Sequence, residues 1–167
     1  MLTSEQMIRL LELKPLTPEG GYYRETYRSD ETMPPGALPT RYRGGRSVGA
    51  AIYFLLTPDT FSAMHRLSTD EVYHFYLGDP VELIELSPGA SRKTVTLGHN
   101  ILHNMVLQHV VRRDTWQALR LIPGGRLALL GTTTAPGFDQ ADYEHGDRNR
   151  LLAEYPGAED LIRALTR

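Results

Sequence analysis

The chain has 167 residues with 41% hydrophobic and 23% charged side chains, proportions that suit one globular domain with a full-sized core. Its formal net charge of −2 excludes a general basic field for nucleic acid, and Lys14 and Lys93 are the only lysines. The absence of cysteine excludes a disulfide framework and thiolate metal sites.

No charged region followed by a long apolar run stands at the N-terminus, and no run approaches the roughly 18 apolar residues of a membrane span. The expectation is an intracellular, cytoplasmic protein without a membrane or nucleic-acid partner. Thr3-Ser-Glu-Gln6 reads as a capping box opening a short helix, with Leu2, Ile8, Leu10, Leu11 and Leu13 as its apolar stripe. Pro15 and Pro18 end that helix. Glu19-Gly20-Gly21 is a turn, followed by a strand over 22–28 that is rich in tyrosine. By alternation Tyr22, Arg24, Thr26 and Arg28 share one face of it, and Tyr23, Glu25 and Tyr27 share the other. Either face can line a polar cavity.

Residues 29–45 are rich in Pro and Gly and form a long loop of the kind that covers binding sites. The Arg41-Tyr-Arg43-Gly-Gly-Arg46 cluster within and just after it reads as basic decoration of a solvated loop, with anion binding as the alternative. Residues 47–56 are nearly all apolar and predict a buried strand. Residues 62–78 predict a hairpin about a polar turn at 68–70, with His65 and Glu71 aimed into one interior. Glu71, Tyr73 and Phe75 share a face, and Val72, His74 and Tyr76 share the opposite one. Further strands are expected over 81–86, 92–97, 105–111, 115–122 and 126–134, separated by turns at 78–80, 87–90, 98–100 and 123–125. Two helical pieces close the chain, near 147–154 and 157–165. About nine short strands, with helices only at the ends, predict an antiparallel all-β sandwich or jelly roll whose mouth can hold a ligand. No repeat or linker divides it, so residues 1–167 form a single domain.

At this level the residues resemble the cupin superfamily. Its first motif, G-x5-H-x-H-x3–4-E-x6-G, is matched by His65, Glu71 and Gly78. Leu67 stands at the second histidine and Asp59 at the leading glycine. The second motif, P-x-G-x2-H, aligns with Arg112-Arg-Asp114-Thr-Trp116-Gln117, so Gln117 replaces its histidine. The openings Pro18 to Tyr27 and Ser68 to Pro80, with Thr115 to Ala118 and Thr134 to Phe138, are similar to one family of small single-domain cupins. The resemblance implies a cupin jelly roll (double-stranded β-helix) with short terminal helices. It also implies a homodimer, and an architecture like that of deoxysugar epimerases and of auxin-binding and storage cupins.

A typical metal cupin uses three His and one Glu. Here only His65, Glu71 and the weak amide ligand Gln117 remain, so the expectation is no bound cofactor. An imidazole and a carboxylate in a pocket suit general acid/base chemistry. His65 and Glu71 are therefore the candidate catalytic pair for epimerisation, isomerisation or dehydration next to a carbonyl. A hydrogen-bonded His–Glu pair that merely satisfies two buried groups is the alternative. Tyr22, Tyr53, Tyr73 and Tyr76 are candidate proton donors or stacking surfaces, and Arg24 a candidate bidentate clamp for an anionic group. His74, Trp116 and Gln117 complete the candidate substrate-binding set. The expected ligand is a small polar or sugar-like molecule. A non-catalytic binding module and a metal-dependent oxygenase are the alternative readings.

Overall fold

The computed structural model describes residues 2–87, 89 and 91–167. Helix α1 (Ser4–Leu10) opens with the expected capping box, in which Thr3 Oγ1 accepts from Gln6 N and Gln6 Oε1 accepts from Thr3 N. Strands follow in the order β1 (Lys14–Pro15), β2 (Tyr22–Arg28), β3 (Thr32–Met33), β4 (Arg46–Ser47), β5 (Ala50–Leu56), β6 (Ser62–Leu67), β7 (Glu71–Gly78) and β8 (Val81–Ser87). They continue with β9 (Ser91–Leu97), β10 (Gln108–Val111), β11 (Trp116–Leu121), β12 (Ala128–Thr134) and β13 (Tyr143–His145). Helices α2 (Arg148–Glu154) and α3 (Glu159–Leu165) close the fold. Within the expected turn at 87–90, Pro88 and Ala90 lie outside the described residues.

Two antiparallel sheets face each other, the arrangement of a jelly roll. One has the order β1-β2-β5-β12-β7-β10 and the other β13-β6-β11-β8-β9. Between them lie Phe54, Leu56, Tyr73, Phe75, Leu83, Leu119 and Leu130. A second cluster packs α2 and α3 on the outside of the second sheet, with Met64, Ile84, Leu86, Trp116, Leu151 and Ile162. A third seats α1 on the outside of the first sheet, with Met7, Leu13, Leu55 and Leu129.

The expected hairpin over 62–78 is corrected. Strands β6 and β7 belong to opposite sheets, so residues 68–70 form an arch from one wall to the other. The apolar pattern is the same in either case, because β7 buries Glu71, Tyr73 and Phe75 as alternation requires. His65 and Glu71 therefore approach from facing walls rather than from neighbouring ribbons.

Two backbone features set the site. Strand β2 carries a bulge: Glu25 pairs with Ile52 and Tyr27 with Ala51, leaving Thr26 as the extra residue. Arg28, expected on the Arg24 face, thereby joins Tyr23 and Glu25 on the inner face. Gly20 and Gly21 both take positive φ, and a Cβ on Gly21 would meet Phe54 and the carbonyl of Leu55. This turn points the Glu19 side chain back into the sandwich.

The basic cluster is the expected solvated loop at Arg41 and Arg43, which are exposed, and departs from it at Arg46. Arg46 is buried, and its Nε and Nη2 each donate to Asp142 at 2.8 Å. Arg41 donates to the carbonyl of Ser68 and lies over Tyr42.

Candidate functional site

A cavity of about 220 Å³ opens at the end of the sandwich where β2, β5, β7 and β12 meet. Its polar lining is Glu19, Glu25, Arg28, Glu71, Thr132 and Thr134; Tyr23, Ile52 and Phe138 supply the apolar walls. A second space of about 260 Å³ shares Glu19, Tyr23 and Phe138 with it and reaches Tyr143.

Glu71 sits on the cavity wall, directly opposite Thr134 in the ladder. Its Oε2 accepts from Gln117 Nε2 at 2.8 Å and from Tyr73 OH at 3.3 Å. Burial pushes its carboxyl above the ordinary range. The neighbouring His65 pulls it down, Glu19 pushes it further up, and hydrogen bonds from Thr132 and Gln117 oppose the rise. Tyr73 is raised well above the ordinary phenol by burial and then by Glu71 and Glu19, so it stays protonated and donates.

His65 comes from β6, in register with Gln117 on β11 and with His145 on β13. Its Nδ1 lies 2.8 Å from the carbonyl of Ala63. A carbonyl only accepts, so Nδ1 carries a proton and the neutral ring keeps its lone pair on Nε2. Nε2 lies 4.0 Å from Glu19 Oε2. The ring stacks on Tyr143 at a centroid distance of 5.3 Å. Glu19 Oε1 accepts from Ser62 Oγ at 2.6 Å, which fixes the carboxylate beside the imidazole. His145 accepts from or donates to Tyr143 OH through Nδ1, and burial, then His65, then Arg167 lower its pKa.

Of the residues expected from sequence, the fold brings together His65, Glu71, Tyr73 and Gln117. The others are corrected, each by the side to which its strand turns it. Arg24 faces outward, where it pairs with Glu12 and covers Tyr53, so it clamps nothing in the cavity. Tyr22 and Tyr53 pack toward the α1 cluster. His74 and Tyr76 stack on each other on the outer face, and His74 bonds Thr133 and Gln108 there. Trp116 lies under the C-terminal helices with Arg66 over its ring. Sequence reasoning offered both faces of the 22–28 strand, Tyr23, Glu25 and Arg28 among them, without choosing between the faces, and missed Glu19, Thr132, Thr134 and Phe138. The Gly20-Gly21 pair after Glu19 was the one signal available, since such a turn redirects its neighbour. It also missed His109, which reaches between the sheets to Glu85 at 2.7 Å.

The residues do not fit a resident metal of the three-His-one-Glu kind. Leu67, at the second histidine position, is buried apolar surface. Gln117 turns its amide NH₂, not its oxygen, toward Glu71. Among the described residues no three His, Cys, Asp or Glu side chains are grouped to hold a metal ion.

Glu71→Gln is expected to stabilise the protein by about 1 kcal/mol at pH 8, or roughly 2–4 °C in Tm. The folded-state pKa lies above the ordinary 4.5, so the folded form binds more protons between the two values. The charged carboxylate thus costs stability above the folded value and costs none below the unfolded one. The gain of the variant should fade as pH falls toward 4. A gain that is constant from pH 4 to pH 8 would contradict the raised pKa.

Residues 5–146 match the family model described as Cupin superfamily (DUF985). An uncharacterized protein of Saccharomyces cerevisiae, YML079W, is 27% identical over 136 residues, which is 75% of this chain and 66% of that protein. The chain thus spans just under two thirds of that relative. The crystal structure of protein SO0799 from Shewanella oneidensis superposes with a TM-score of 0.89 at 30% identity, over 100% of this chain and 99% of that one. A hypothetical protein from Leishmania major gives 0.88 at 28% identity, over 99% of each chain. Oxalate decarboxylase from Bacillus subtilis shares the fold alone, with a TM-score of 0.53 at 12% identity over 93% of this chain and 37% of that enzyme.

Proposed function

The chain belongs to the DUF985 family of the cupin superfamily, and from that premise we propose that it binds a small polar or sugar-like molecule in the barrel and moves a proton on it. His65 Nε2 is the base in this reading, reaching the cavity beside Glu19 rather than on its lining, and the Glu71 carboxyl, held up by burial, is its acid partner from the facing sheet. The carrying observation is the Ala63 carbonyl on Nδ1, which leaves the lone pair of neutral His65 on Nε2, the nitrogen on the side of Glu19. The natural reaction is transfer at a carbon next to a carbonyl, as in epimerisation or isomerisation. Tyr23 and Phe138 exclude water and offer ring faces to a sugar.

A screen of keto sugars, free and nucleotide-linked, with His65→Gln and Glu71→Gln as controls, tests this function. Ligand binding with product formation unchanged in both variants would leave a binding module instead.

The proposal includes a homodimer. Among the described residues strand β10 ends its sheet, with Val106 just before it bridged to Leu97 of β9, and Ile101, Leu102, Leu107 and Val110 on and before it are exposed, Leu102 to 94%. A second copy of the chain is the occupant that covers such an edge with its own equivalent surface. Sedimentation at micromolar concentration should show a species of twice 18.8 kDa. A pure 18.8 kDa species would refute it.

A further inference from the structure

Resting on the reading above, we infer that the cavity selects a molecule bearing an ammonium group, such as an amino sugar or amino alcohol, and rejects carboxylates and phosphates.

The inference stands on which polar groups are already engaged. Glu19, Glu25 and Glu71 all line the cavity. Of the cations near it, Lys14 lies over the ring of Tyr23 at 5.1 Å, and Arg28 and Arg167 turn donors to protein oxygens. Arg28 uses Nε and Nη2 on Glu25 and Nη1 on Ser47 and the carbonyl of Phe138. Arg167 uses Nη1 on the carbonyls of Pro18 and Glu19 and Nη2 on that of Phe61. His65 offers a second N–H only once it has taken a proton. An anionic ligand meets the Glu19 carboxylate, finds the lining guanidinium of Arg28 already held by Glu25, and has the Thr134 hydroxyl as an open donor on the wall, so the charge balance rather than a want of donors disfavours it.

Acceptors, by contrast, remain available. Thr134 lines the cavity with its hydroxyl buried, 3% exposed as a residue, and without a hydrogen-bond partner. Gln117 Oε1, behind Glu71, is likewise buried and unpartnered. Buried polar atoms left open in this way mark a position where a ligand group completes the bonding. An ammonium brings three donors and no acceptor, which matches the Glu19 carboxylate and the Thr134 hydroxyl oxygen, with Glu71 accepting once it has given up its proton. The ring of Phe138 on the same cavity adds attraction for a cation, whereas Tyr23 already has Lys14 over its ring.

The test compares probes of one shape and three charges: glucosamine, glucose and glucuronate, with ethanolamine as a minimal ammonium. Binding is read by calorimetry and by chemical-shift changes of cavity-residue amides in the full chain, up to 10 mM probe (roughly the weakest affinity range worth scoring). Glucosamine should bind about tenfold more tightly than glucose, and glucuronate more weakly than both. Glu19→Gln should bring glucosamine to within about twofold of glucose, while its melting temperature shows that it folds. Glucuronate binding as well as glucosamine overturns the inference. So does binding of glucose without an ammonium preference, which leaves the cavity reading standing. Failure of every probe overturns the inference and counts against the cavity reading too.

Discussion

Replacing Arg46 by methionine is expected to destabilise the protein by about 3–5 kcal/mol. The guanidinium donates to both oxygens of Asp142 at 2.8 Å and to the carbonyl of Gly45 at 2.9 Å. The paired side chains are 4% and 2% exposed, and Tyr42 lies against the guanidinium. Removing the cation leaves a charged carboxylate in the interior without a counter-ion. The pair also fastens the excursion between β2 and β5 to the segment before β13, so the loss should loosen Tyr143 from His65. Urea denaturation measures the effect. The double variant Arg46→Met with Asp142→Leu should recover most of the stability, because two apolar groups bury no charge. A single variant that loses under about 1 kcal/mol would show that the ion pair is not what closes this side of the barrel.

The second large effect concerns turnover. With a substrate from the sugar screen, His65→Gln is expected to lower kcat/KM by about 10²–10⁴-fold while leaving the fold intact. Glutamine keeps the volume and a donor toward Ala63 but cannot take a proton at the position of Nε2. Glu71→Gln should lower the rate over a similar range and shift the pH profile, since it removes the group whose protonation burial favours. The double variant should lose far less than the product of the two, because the groups act in one step. The pattern separates proton transfer from simple buried pairing. Buried pairing predicts no loss of rate in either variant.

How much of this was legible varies by element. The nine main strands, the capping box and the terminal helices follow from periodicity and punctuation, which act locally. His65, Glu71, Tyr73 and Gln117 were also legible, because the interior face of a strand is fixed by alternation once one buried member is known. The outward residues His74 and Tyr76 were distinguishable on the same ground, since they alternate with Glu71 and Tyr73. The change of face within β2 was not legible: its parity changes at Thr26, and no residue there announces a bulge. The arch between β6 and β7 reads like a hairpin turn because a polar triplet serves both. Pairing of His109 with Glu85 depends on two sheets meeting, which no local pattern encodes. At the second motif, Asp114 adopts φ 63°, the left-handed conformation for which the superfamily pattern keeps a glycine. The turn shape is thus retained there by an aspartate.

The extra residue in β2 has a consequence for how such a pocket changes over time. Upstream of Thr26 the inward positions are odd-numbered, and downstream they are even-numbered. Losing that one residue would leave every pairing as it is and keep Tyr23, Glu25 and Arg28 on the inner face. Keeping Thr26 but pairing it into the ladder would instead carry Arg28 outward and bring Tyr27 in, if the upstream register holds. The bulge is therefore what seats a guanidinium beside the Glu25 carboxylate on the pocket wall, and ironing it out would unmask that carboxylate with no side chain altered.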